Sequence, residues 1–233
     1  MRAVTYEARR GEIETYFDRT AAEAWKRLTS DAPVGRIRAT VRAGRDAMRA
    51  TLLSWLPDDL RGAHLLDAGC GTGMLSVEAA RRGADVTAID LSANLIDLAR
   101  ERAPRDLGAG RIRFGTGDML DPALGQFEHV VGMDSLIHYD AADCVRAIEA
   151  LAPRTGCSIV FTFAPRTPAL AAMHAVGRLF PRGDRAPSIQ PLAEDALRRR
   201  VAEAPALADW RIGRTHRVKS GFYISQAMEL VRR

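Results

Sequence analysis

The densest group of residues able to do chemistry lies about a third of the way along the 233-residue chain. It reads Asp67-Ala68-Gly69-Cys70-Gly71-Thr72-Gly73 and directly follows the apolar run 64–68. Glycines at alternate positions permit positive φ and let the backbone approach a ligand closely. Asp67, at the end of the run, can accept from a ligand ammonium, while the amides opening the next helix suit a ligand carboxylate. Asp90, with Leu91 beside it, ends the run 85–89, where a carboxylate hydrogen-bonds both hydroxyls of a ribose. Asp118 and Met119 follow the run 112–115 in the same way. Each aspartate alone reads better as a turn or helix cap. Their order, each after a successive apolar run, points instead to one nucleoside-like ligand. The dinucleotide fingerprint G-x-G-x-x-G is not met, because Met74 stands where its last glycine belongs.

The elements that must position these residues follow from periodicity. Residues 12–28 and 34–55 read as two helices, broken by the turn-like Ser30-Asp31-Ala32-Pro33. The apolar runs 64–68, 85–89, 112–115, 129–133 and 158–163 then alternate with helical stretches at 73–82, 92–103 and 141–151. Alternation of this kind builds βαβ units and a mostly parallel sheet covered on both faces. After Phe163 the rhythm breaks. Prolines crowd 165–191 around a short apolar helix carrying Leu170, Met173, Val176, Leu179 and Phe180 at helical spacing, with His174 among them. A helix over 192–203 and strand candidates over 210–214 and 221–230 close the chain. We expect a helical arm over 1–58 and one ligand-binding domain over 59–233, with 165–191 inserted as a cap.

Composition narrows the function classes. With 47% hydrophobic and 27% charged residues, the chain can bury a core. No stretch is long and apolar enough to span a bilayer and the N-terminus has no signal-like segment, so a cytoplasmic location is expected. The net charge of +5 is almost all arginine, Lys26 and Lys219 being the lysines. Arg198-Arg199-Arg200 sits near a helix end, where cations suit the dipole. The chain has neither an Asn/Asp-Pro-Pro-aromatic motif nor an aromatic-interleaved basic stripe, which argues against a nucleic-acid substrate. Cys70, Cys144 and Cys157 lack metal-ligand or disulfide spacing, so no protein-bound metal is expected and the thiols are expected to be reduced and buried.

The loop form D-x-G-x-G-x-G resembles the first motif of class I S-adenosylmethionine-dependent methyltransferases. The resemblance implies a Rossmann-like sheet of seven strands, mostly parallel and closing on a hairpin-like pair. It implies S-adenosylmethionine as methyl-donor co-substrate, with Asp67, Gly69, Gly71 and Gly73 at its methionyl part, Asp90 and Leu91 at its ribose, and Asp118 and Met119 at its adenine.

The rest of the chain resembles the magnesium-protoporphyrin IX O-methyltransferases of (bacterio)chlorophyll biosynthesis. The likeness is carried by Tyr16-Phe17-Asp18 with Thr20 and Trp25, and by Ile37-Arg38-Ala39-Thr40-Val41-Arg42-Ala43-Gly44. Asp134-Ser135-Leu136-Ile137-His138-Tyr139, Phe163-Ala164-Pro165-Arg166-Thr167 and Phe222-Tyr223-Ile224-Ser225 continue it. Thr29, Ala186 and Pro187 depart from oxygenic-phototroph members, which favours the bacterial branch. The reaction implied is methyl transfer to a propionate of magnesium-protoporphyrin IX. His138 would orient that carboxylate, Tyr16 would add a polar contact from the arm, Arg42 would pair with the methionyl carboxylate, and Asp134 and Ser135 would line the pocket beneath the methyl. The resemblance also implies contact with the porphyrin-binding subunit of magnesium chelatase and peripheral association with the photosynthetic membrane. Two other readings stay open: a methyltransferase for another small acceptor, and a non-catalytic S-adenosylmethionine-binding interaction module.

Overall fold

The computed structural model describes residues 6–16, 35–166 and 189–233. The 17–28 part of the first expected helix, Thr29, the breaking turn and most of the 165–191 insertion, including its apolar stripe and His174, lie outside the described residues.

Two helices open the chain, α1 (Tyr6–Tyr16) and α2 (Arg36–Ser54). There follow β1 (His64–Ala68), α3 (Met74–Arg81), β2 (Asp85–Asp90), α4 (Ala93–Arg102), β3 (Arg111–Thr116), β4 (Phe127–Gly132), α5 (Ala141–Leu151) and β5 (Thr155–Phe163). The chain closes with α6 (Glu194–Glu203), β6 (Trp210–Ser220) and β7 (Tyr223–Arg232). The strands form one seven-stranded sheet in the order β3-β2-β1-β4-β5-β7-β6. The first five are parallel, and β7 enters antiparallel between β5 and β6. This is the expected sheet.

Strand periodicity divides the core between the two faces. Leu66, Val130 and Phe161 pack with Ile148 of α5 and Leu197 of α6. Their chain neighbours Leu65, Val131 and Val160 pack on the opposite face with Met48 and Leu52 of α2 and Ala79 of α3. Burying each such side chain contributes roughly 1.5–3 kcal/mol, so the alternation fixes the register of every central strand. Strand β1 pairs with β2 on one side and β4 on the other. Connections leave these neighbours toward opposite faces, and a crevice opens at the strand C-termini, the usual ligand position in open α/β sheets.

Three expectations are corrected. The first helix, expected to start at residue 12, starts at Tyr6 and runs through Gly11; the cost of about 1 kcal/mol is offset because Ile13, two residues on, is buried in the core. Strand β6 continues past 214 to Ser220, and β7 runs from Tyr223 to Arg232. The polar stretch Thr215–Lys219 hides the strand in sequence because it forms the sheet edge, where charged side chains discourage pairing with other chains. Of the three thiols only Cys144 is fully buried, and Cys157 is exposed. Within α6, Arg198 pairs with Glu194 one turn earlier, as a solvated helix face does. Among the described residues no helix is long and apolar enough to cross a membrane.

Candidate active site

A cavity of about 360 Å³ lies at the C-terminal ends of β1, β2 and β4, under the inner face of α2. That size is in the range of small-molecule sites. The glycine loop forms its floor, with Gly69, Gly71 and Gly73 at φ of 82°, 54° and 74°. The amides of Gly69 and Cys70 donate to the Ile89 carbonyl, which pins the loop to the end of β2. The Asp90 carboxylate completes that attachment by accepting from the amides of Gly71 at 2.8 Å and Ser92 at 2.9 Å.

The cavity wall brings together Asp67, Gly69, Gly71, Asp90, Leu91, Asp118, Met119, Asp134 and Arg42 of the expected donor-site residues. Gly73 stands apart. It caps the N-terminus of α3, and a Cβ there would lie 2.8 Å from the Phe114 ring, so its glycine serves packing. Among the described residues, His138 and Tyr16 are also outside this wall. His138 ends a buried turn, Leu136–His138, and the next residue, Tyr139, does line the cavity. Tyr16 ends α1 with its phenol pKa raised by burial, while Ile13 of the same helix reaches the wall.

Asp67 is 1% exposed and accepts from Ser76 Oγ at 2.5 Å. Burial pushes its carboxyl up to about 7, the Ser76 hydrogen bond works against that, and the nearby Asp90 charge adds to it. A cation placed here would draw the group back to its ionised form. The adjacent Cys70 thiol is raised well above its ordinary range by burial and by Asp67 and Asp90, so it stays protonated and is no nucleophile.

Several residues that organise the site around the expected Asp134 were given no site role in the sequence. Asp134 has φ 56°, a left-handed conformation otherwise taken by glycines among the described residues. Arg45 of α2 donates to its Oδ2 at 2.6 Å, the Tyr223 hydroxyl donates to Oδ1 at 3.1 Å, and its own amide donates to Thr162 Oγ1 at 2.7 Å. Burial, and then the Asp134 charge, drive the Tyr223 phenol far up, so it remains a donor. Arg10 of α1 pairs with Asp118 at 2.7 Å. A pattern could have suggested Arg45: Arg38, Arg42, Arg45 and Arg49 recur at three- and four-residue spacing along α2.

The cradle fits an S-adenosyl amino acid. A Cβ on Gly69 would come 2.5 Å from Ser135 Cβ, so a side chain there would close the space over the loop. Ser135 Oγ is buried at the wall with no hydrogen-bond partner among the described residues, which leaves it for a bound molecule. The carboxylates of Asp67 and Asp90 stand on the same wall.

Sheet order, glycine cradle and strand-end acids, with a match of residues 65–154 to a methyltransferase domain model, define a class I methyltransferase. Residues 132–232 match the model of the magnesium-protoporphyrin IX methyltransferase C-terminus. The magnesium-protoporphyrin O-methyltransferase of Rhodobacter capsulatus is 52% identical, over 94% of this chain and 95% of the relative. The chain belongs to the magnesium-protoporphyrin O-methyltransferase family. Among solved structures, magnesium protoporphyrin IX methyltransferase from Synechocystis with bound SAH is 29% identical, with a TM-score of 0.79 over 95% of this chain and 98% of that one. The same enzyme with bound SAM gives a TM-score of 0.77 at 25% identity, covering 100% of both chains.

Proposed function

We propose that this chain transfers the methyl group of S-adenosylmethionine to a propionate carboxylate of magnesium-protoporphyrin IX, giving the monomethyl ester in bacteriochlorophyll biosynthesis. The observation that carries the reading is the 52% identity to the Rhodobacter capsulatus enzyme across nearly the whole of both chains.

The donor supplies an electrophilic methyl on a sulfonium. Around it, Asp67 holds the ammonium, Asp90 with Leu91 holds the ribose, Asp118 with Met119 receives the adenine, and Arg42 pairs with the methionyl carboxylate. Asp134 and Ser135 line the space below the methyl. The acceptor carboxylate is ionised at neutral pH, a model group titrating near about 4. An oxygen lone pair forms the new C–O bond as the C–S bond breaks, and its electron pair stays on sulfur as a neutral thioether. No proton is transferred. The protein therefore needs no strong base, and its work is alignment of the oxygen behind the methyl and exclusion of water from two opposite charges. His138, next to cavity-lining Tyr139, is assigned to orient the carboxylate, and Tyr16 to contact it from the arm.

The proposal includes residues 1–58 as an arm, 59–233 as the methyltransferase domain and 165–191 as a cap for the porphyrin. Its surroundings are a cytoplasmic location, peripheral contact with the photosynthetic membrane and delivery by the porphyrin-binding subunit of magnesium chelatase. The insolubility of a flat apolar macrocycle supports these.

The test is acceptor choice. With methyl-labelled S-adenosylmethionine and a panel holding magnesium-protoporphyrin IX, a quinol and a small amine, mass spectrometry should find label as a porphyrin monoester. Label on the quinol or amine instead would move the chain to another acceptor.

A further inference from the structure

Helix α2 carries the cavity wall beyond the cavity. Arg42, Arg45 and Arg49 line the pocket from one face of this helix. Arg38 stands seven residues before Arg45, two helical turns, so it projects within about 20° of the same direction and about 10 Å further out along the axis. Arg45 is engaged by Asp134 and Arg49 by Asp46 and Glu78. Arg38 is exposed, and no ion pair among the described residues includes it.

The neighbouring stripe behaves in the same way. Gly44 packs so tightly on Tyr223 that a Cβ would lie 2.5 Å from its ring. Ile37, again two turns earlier, faces the same side, past the start of β7. The turn between β6 and β7 meets the helix at Thr40, one turn after Ile37: Ser220 Oγ donates to the Thr40 carbonyl at 2.8 Å, and Thr40 Oγ1 donates back to the Ile37 carbonyl at 2.8 Å. Phe222 stands on this turn beside Tyr223, whose hydroxyl reaches Asp134 in the cavity wall. Ile37 at 59% and Phe222 at 54% exceed every other large apolar side chain in exposure among the described residues. Arg36 and Arg38 flank Ile37 in the chain, Lys219 precedes the turn that carries Phe222, and all three are exposed.

Two exposed apolar side chains beside a guanidinium, in line with a methyl-transfer cavity, match a flat apolar molecule with more than one carboxylate. We propose that Ile37, Phe222 and Arg38 form an outer subsite that seats the tetrapyrrole plane and pairs with the carboxylate that is not methylated. The proposal rests on the acceptor assigned above. Phe222 and Ile37 bear on the macrocycle, and Arg38 neutralises the second propionate while the first passes inward along the Arg42–Arg45 side. Apolar burial supplies affinity here and the cation supplies orientation.

The experiment is equilibrium binding of magnesium-protoporphyrin IX, read as the shift of its Soret band, to the full chain saturated with S-adenosylhomocysteine. Its probes are the dicarboxylate and the dimethyl ester. Phe222→Ser and Ile37→Ser should each weaken both probes at least tenfold, while calorimetric affinity for S-adenosylhomocysteine stays within twofold. Arg38→Gln should weaken the dicarboxylate at least fivefold and the dimethyl ester less than twofold. Porphyrin affinity within twofold of wild type in all three variants overturns the subsite. Equal loss of both probes in Arg38→Gln overturns the carboxylate assignment. If co-sedimentation with phosphatidylglycerol vesicles falls in the variants while porphyrin affinity holds, the patch is a membrane-facing surface and the proposal fails. A wild-type chain that binds no porphyrin removes the acceptor assignment itself, a result distinct from all of these.

Discussion

A non-glycine residue at φ 56°, as Asp134 is, gives up about 1 kcal/mol or more of backbone comfort. The conformation persists because its carboxylate is bound by Arg45 and Tyr223 and its amide by Thr162. Strain held in this way at a cavity wall sets the direction of the following residue, Ser135, toward the ligand space. The acids around it carry separable predictions. Asp90→Ala removes an acceptor for the ribose and should weaken S-adenosylmethionine by roughly 1.5–3 kcal/mol in calorimetric titration. Unchanged affinity would remove the ribose assignment. Asp67 is held at about 7 by burial, so below that pH it is protonated and must lose its proton to meet the donor ammonium. Donor affinity should therefore fall from pH 7 to 5.5, approaching about tenfold per unit, and Asp67→Asn should flatten the profile at a lower affinity. A flat wild-type profile contradicts the contact. His138 separates orientation from binding: His138→Ala should lower kcat on the order of 10²-fold with S-adenosylhomocysteine affinity almost unchanged. Near-wild-type kcat would return His138 to a packing role in its buried turn.

At the scale of elements, α2 is the part that ties the sheet to the cavity wall. Its apolar side buries Met48 and Leu52 against the sheet, its Arg45 enters the cavity wall, and its Gly44 sets how near it comes to β7. Gly44→Val would place methyl groups where the Tyr223 ring lies. Overpacking at such a contact costs about 1–3 kcal/mol. The helix should shift outward and take Arg45 from Asp134. The expected outcome is a lower urea midpoint together with at least tenfold weaker donor binding, whereas Gly44→Ala should do less of both. A Gly44→Val protein with wild-type stability and donor affinity would show that α2 docks without this contact. The glycine loop and the acids at the ends of β1, β2 and β3 were legible in the sequence, because strand, turn and helix signals lie within a few residues of them. The arginine spacing of α2 marks the face that carries Arg45 but not its pairing with Asp134, 89 positions away, and Arg10 is 108 positions from Asp118. No local pattern encodes pairs that only sheet topology brings together. The polar half of β6 was hidden for a different reason: an edge strand has one neighbour and little apolar alternation to display.

Across the whole molecule, one crevice beside β1 and β4 receives contributions from α1, α2, the glycine loop and the strand-end acids, and Tyr223 of the final strand reaches its Asp134. Conflicts between local propensity and structure fall mainly around it: Gly11 inside α1, left-handed Asp134 and the close Gly44 contact. Such departures are tolerated where global packing or a bound molecule repays them. The central claim is that this crevice moves a methyl group onto a porphyrin carboxylate rather than only binding the donor. Single-turnover transfer tests it most directly, with the full chain in excess over methyl-labelled S-adenosylmethionine and saturating magnesium-protoporphyrin IX. The account predicts that the label passes nearly completely to an alkali-labile porphyrin monoester, one ester per donor consumed. Tight donor binding with the label still on sulfur after many minutes would contradict it, and would leave the chain as a binding module with a methyltransferase fold.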